Sequence, residues 1–372
     1  LLKWYGPQDA EFQKLQKAER DHFATAPKPN RVKALVASEG LPAIKLHTQA
    51  EAEFLKETHF LRRGDPGQKT GVAHVSFLQT LMPGAEAHTK WLKPAPANAR
   101  LSYRRSAFAD WLTDTETGAG HLVARVIVNR LWAEHFGRGL VATVSDFGTR
   151  GDAPSHPELL DYLAAELIRG GWKLKPIHRL IVTSAAYQQS SARDEAKVKL
   201  DPENKLVWRQ PVRRLQAEVI RDSILAAGGR LNTTMYGPGT LSEESPRRSI
   251  YFTMKRSKLI PSLVVFDAPD GTTGVGDRSS TTVAPQSLHL MNNPYVRAAA
   301  YGLAKRASTD GKATDTDTVT RAYQIALCRA PTKDELADAL AFLKGATVTD
   351  REARLADLCQ VLFCLNEFLY TD

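Results

Sequence analysis

Cysteine is scarce in this chain. Only Cys328, Cys359 and Cys364 occur in 372 residues. An odd and small number builds no disulfide framework. Cys359 and Cys364 sit five apart on a predicted helix and point in different directions. All three are expected to be free thiols in the core. No C-x-x-C-H stretch occurs, so the chain offers no attachment site for a c-type haem and no cofactor is expected in it. No His and Cys set has structural-zinc spacing, and Asp315 and Asp317 lack the turn glycine and terminal Glu of a calcium loop. No metal is therefore expected. Dinucleotide and phosphate loops, H-E-x-x-H and G-x-S-x-G are missing too. No apolar run reaches the length that spans a bilayer. The chain starts LLKWYG, without a charged-then-apolar leader, as expected of a mature or excised C-terminal fragment.

What is present is ordinary in bulk. Hydrophobic residues make up 42% and charged ones 24%, the balance of a soluble globular protein. The length suits two or three structural units. Fifty basic side chains against 41 acidic ones leave a net charge of +9. Such a balance favours weak attraction to polyanions such as nucleic acid or sulfated glycan, or serves solvation alone.

The pattern along the chain predicts an α+β fold. It has a mainly α-helical core, a small N-terminal β module and an isolated inserted strand. Residues 1–30 read as a helical tether, with Phe12, Leu15 and Ala18 near helical spacing before APKPN breaks it. Residues 31–98 read as a small β-rich module: Val32, Ala34 and Val36 alternate, AIKLHT and THFLRRG follow, and GDPGQKTG makes a turn. Residues 99–310 form a helical domain. Within it, HLVARVIVNRLWAEHF is apolar on most sides and should be a buried central helix. Ser155 and Glu158 have capping-box spacing, Gly170–Gly171 ends that helix, and PVRRLQAEVIRDSILAA reads as another. SIYFTMKR, at 249–256, alternates like a strand. Residues 311–372 return to helix, with Thr332/Glu335 and Thr349/Glu352 as capping boxes. Leu355, Leu358, Leu362, Leu365 and Leu369 form a core seam.

Three constellations could carry chemistry. On the central helix Arg125, Asn129 and Trp132 share a side, followed by Arg130 and His135. They make either an anion or substrate clamp, or a buried network that locks the next loop. The loop SDFGTRGDAPSH holds Asp146 and His156, which suit an acid/base pair or plain turn hydrogen bonds. The basic stretch with Arg256 precedes a loop with Asp267 and Arg278, which either binds an anion or pairs internally. The ligand-binding candidates are thus Arg125, Asn129, Arg130, Arg256 and Arg278. The catalytic candidates are His135, Asp146, His156 and Asp267.

The block from Asn129 to Ser191, together with RRSIYFTMKRS, LVVFDAPDG and TTVAPQSLHLMNN, resembles the planctomycete-type family called domain of unknown function 1553. The resemblance runs from about residue 30 to NEFLYTD. It implies an extracytoplasmic protein, periplasmic or at the cell surface, often with an upstream or separate cytochrome c-like domain. Two functions follow as expectations. One is a binding or scaffold module for a polyanion, a glycan or a redox partner. The other is an enzyme acting on a carbohydrate-like substrate through an Asp, His and Arg cluster.

Overall fold

The computed structural model describes residues 9–25, 59–94, 96, 102–308, 313–345 and 348–371. The chain divides into two compact units, one of residues 1–37 and 235–238, the other of residues 38–234 and 239–372. In the first, helix α1 spans Ala10–Ala24 and buries none of its residues. Asp9 caps it, accepting from the N–H groups of Glu11 and Phe12 at 2.9 and 3.2 Å.

The second unit is an α-rich α+β fold. Its strands form two small antiparallel pairs among the described residues. Strands β1 (His59–Leu61) and β2 (Lys69–Val72) make a hairpin, turned by Asp65, which accepts from Gly67 N–H. The segments RVKALVASE and AIKLHT lie outside the described residues. Trp91, Ala107 and Trp111 form a small core, with Phe77 stacked on Trp111 at 5.2 Å. Helix α2 (Arg104–Thr113) contributes to it.

A second core joins α3 (Gly120–Phe136), α4 (Pro157–Arg169) and α5 (Leu174–Val182). Ala124, Val128, Trp132 and Phe136 recur every four residues along α3 and meet Leu160, Leu163, Leu167 and Ile177. The largest core gathers α7 (Ala217–Ala227), α8 (Pro261–Val265), α9 (Ala284–Asn292), α10 (Pro294–Ala307), α11 (Asp315–Leu327), α12 (Lys333–Leu343), α13 (Val348–Cys364) and α14 (Asn366–Leu369). Between α5 and α7 lie the short α6 (Glu195–Leu200) and strand β3 (Arg213–Arg214). Strand β4 (Tyr370–Thr371) closes on β3, pairing Arg214 with Tyr370.

Several expectations change. Residues 249–256 are no strand. Ser249–Tyr251 is a single 3-10 turn, and Phe252 makes one isolated bridge to Thr240. Ile250 and Met254 face solvent, 71% and 68% exposed, so the alternation there tracks no buried face. Ser249 N–H goes instead to Asp222 Oδ1 at 2.8 Å. The helix expected from Pro211 starts only at Ala217, because Arg213–Arg214 is claimed by β4. The Ser155 capping box does not form. His156 is the N-cap of α4, and Ser155 Oγ meets His156 Nδ1 at 3.0 Å. The box at Thr332/Glu335 does form, Thr314/Asp317 makes another that was not expected, and Thr349 falls inside α13, which starts at Val348, rather than at its N-cap. The leucine seam is buried at 355, 358, 362 and 369, but the helix breaks at Leu365, which caps α14. The cysteines are free, Cys359 is buried, and burial pushes its thiol up to about 12. Cys328 is exposed, because it ends α11 in the left-handed conformation at φ 58°.

Candidate functional site

A cleft of about 600 Å³ opens where the end of α3, strand β3, the start of α7 and the loop 275–282 converge. Gly137 stops α3 with φ 74°, a conformation that glycine adopts without steric cost. That stop leaves the last carbonyls of α3 open. Arg213 Nη1 donates to one of them, the carbonyl of Glu134. A cation at a helix C-terminus is favoured by the macrodipole. Glu134 Oε2 accepts from Gln216 Nε2 at 3.2 Å.

Arg214 forms the floor. Its side chain is 4% exposed and pairs with Asp267 Oδ2 at 2.6 Å. It also donates to the carbonyls of Thr281 and Phe266, at 2.5 and 3.2 Å. Asp267 in turn accepts from Thr281 N–H and Oγ1 at 2.9 and 2.8 Å. Burial alone would raise the Asp267 pKa. The bonds from Thr281 and Arg214 outweigh it and hold the carboxyl below its ordinary value. Asp267 has φ 64°, which a short polar side chain tolerates. Tyr370 reaches the same wall, with its OH 3.2 Å from Thr282 Oγ1.

The rest of the lining is less committed. Arg278 pairs with Glu218 at 2.7 Å near the surface. Arg130 and Asp277 have no hydrogen-bond or ion-pair partner among the described residues, and both face the cleft. Helix α7 also starts here. Its N-cap Gln216 gives no side-chain bond to the first turn, and Gln216 and Ala217 line the cleft. The positive end of that helix therefore joins Arg130 and Arg213.

The signature loop touches this site. A side chain at Gly276 would overlap Ser145 Oγ, and Val144 lines the cleft. Of the candidates read from sequence, Arg130, Asp267 and Arg278 come together here. The others do not line it. Asp146 is exposed, and its Oδ1 accepts from Gly148 N–H at 2.8 Å. Arg125 pairs with Asp161 of α4 at 3.1 Å. Asn129 is fully buried and holds Val141 by two bonds of 2.9 Å, one to the carbonyl and one from the N–H. This is the network that locks the loop. His135 Nε2 lies 2.9 Å from His178 Nδ1. Burial, then His178 and Arg213, lowers its pKa. His156 meets Ser155. Arg256 is exposed, in the charged surroundings of Asp270.

Arg213, Arg214, Glu134, Gln216 and Tyr370 were not singled out from sequence. Their one local signal is the arginine doublet after Pro211, which helix periodicity absorbs. The strand partner of that doublet lies far along the chain at Tyr370–Thr371, beyond the reach of any local pattern.

Residues 104–343 match the PSD1 family, described as a protein of unknown function (DUF1553), and the chain belongs to that family. No curated protein and no solved structure matches it.

Proposed function

We propose that this chain is a binding module whose cleft takes an acidic group, a carboxylate or sulfate, on a glycan. One observation carries the reading. Arg130 and Arg213 converge with the uncapped start of α7 on a single cleft. Ionised acceptors are bound most strongly by such charged and dipolar donors. Asp277 and the hydroxyls of Ser279 and Ser280 line the same space and suit the hydroxyls of a sugar. An acid/base reading draws less support, since His135, Asp146 and His156 each have a local partner. An extracytoplasmic setting beside a cytochrome c-like domain is part of the proposal and rests on the family resemblance. Locating the protein in fractionated cells of its source organism tests that part.

The central test is isothermal calorimetry with heparin and with polygalacturonate. Both should bind, more weakly as salt rises. The variant Arg130→Ala/Arg213→Ala should lose about ten-fold or more in affinity while folding normally. Equal affinity of variant and parent would remove the cleft from the account.

A further inference from the structure

A second cavity, of about 310 Å³, lies on the other flank of the same α3 terminus. No residue lines both cavities, yet Phe136 and Pro211 border this one while Gly137 and Val212 border the cleft. Consecutive residues thus form the partition between them, about 3.8 Å apart along the chain. We infer that this cavity is a subsite for one neutral pyranose ring. It shares the glycan reading of the cleft, but it can be emptied or filled without touching any cleft residue.

The lining supports that ligand. Trp132 and Phe136 form its apolar base, stacked on each other at 4.2 Å. Phe136 covers one face of the indole, so a ligand has at most one side of it. Single-sided packing suits the C–H face of a sugar, whereas a nucleobase gains most between two planes. The indole N–H of Trp132 has no partner among the described residues and is left as a donor.

The rim is polar and balanced in charge. Arg138 and Lys205 both reach Glu203 Oε2, at 2.9 and 3.1 Å. Asp152 uses only its N–H, bonded to Thr143 Oγ1, which leaves its carboxylate without a partner among the described residues. Glu203, bonded to both cations just outside the lining, and Asp152 on the lining set two carboxylates against the two cations, which favours no net charge on the ligand. A carboxylate beside ammonium and guanidinium groups matches hydroxyls, which both donate and accept. The volume also fits one ring, near the lower end for ligand pockets.

The walls are held in costly conformations. Val207 has φ 54°, a strained value for a β-branched residue, and Asn204 has the same φ. Gln189 Nε2 holds Val207 O at 2.9 Å, and Asn204 Oδ1 accepts from Trp208 N–H at 2.9 Å. Opposite them, Gly139 admits the loop, since a Cβ there would sit 2.7 Å from Asn129 Nδ2.

The test uses the full chain and neutral hexasaccharides of glucose, xylose and mannose, followed by tryptophan fluorescence and calorimetry. At least one should bind and shift the emission. Ala153→Trp, which fills the cavity from an exposed loop position, should abolish that binding. Asp152→Asn should weaken it about ten-fold without filling anything. Ala153→Trp should leave heparin binding at the cleft unchanged, which separates this site from the cleft. The inference is overturned if no neutral hexasaccharide binds, if Ala153→Trp binds normally, or if adenosine competes for the site.

Discussion

Helix α7 carries two arginine-centred regions that use the same side chain in opposite ways. Within it, Arg221 is 1% exposed and spends its charge on the backbone. It donates to the carbonyls of Arg247 and Glu243 at 3.1 and 3.0 Å, and to that of Ser245. Its plane lies 4.6 Å from the Phe252 ring, and Asp222 sits 3.5 Å away. At its N-terminus, Arg130 and Arg213 face an open cleft, one with no partner and one held by a single carbonyl. The difference teaches where function can reside. A cation that is walled in and bonded to the chain holds the fold. A cation beside water with unused N–H groups is available to a ligand.

Four experiments would break or sharpen that contrast. The largest effect is expected at Arg221. Arg221→Met strands three carbonyls and should cost on the order of 3 kcal/mol in urea denaturation. A loss below about 1 kcal/mol would mean the arginine is not a structural hub. Asn129→Leu should follow, at about 2 kcal/mol, because two buried backbone groups lose their partners. Unchanged stability there would leave the loop after α3 held by something else.

Asp267 falls between the two regions, since it locks Arg214 beneath the cleft. Its folded pKa lies below the ordinary value of 3.8. Its contribution is therefore complete above that value and is lost as pH falls through the lower folded pKa. The stability gap between the parent and Asp267→Asn should be constant near neutrality and narrow below about pH 4. A gap that widens on acidification would reverse the assigned shift. The smallest effect on stability is expected at Arg130. Arg130→Ala should change the unfolding free energy by no more than about 0.5 kcal/mol, while weakening heparin binding. A large loss of stability would move Arg130 to the structural class.

Local pattern carries through to the fold where neighbours in sequence decide the structure. Thr332 and Glu335 announced a helix start three residues apart, and the bonds form as expected. HLVARVIVNRLWAEHF, apolar on most sides, reads as a central buried helix, and Val128, Trp132 and Phe136 do pack in the second core. Asn129 on an apolar helix needs a partner, and Val141 supplies it. The misreadings came where distant contacts overrode local preference. Ile250, Phe252 and Met254 alternate as in a strand, but no second strand meets them among the described residues. Arg213 and Arg214 fit a helix until Tyr370–Thr371 pairs with them.

Sequence alone determined the α-rich class, the family, the central buried helix and three of the residues that meet at the cleft. These depend on side-chain period, capping and motif order, which act over a few residues. Tertiary structure decided which arginines are consumed and which are spare. It brought Arg214 to Asp267, Arg213 to the end of α3 and Tyr370 to Thr282. Charge is written in the sequence. Its satisfaction depends on what surrounds each group in space, and only the folded chain supplies those partners.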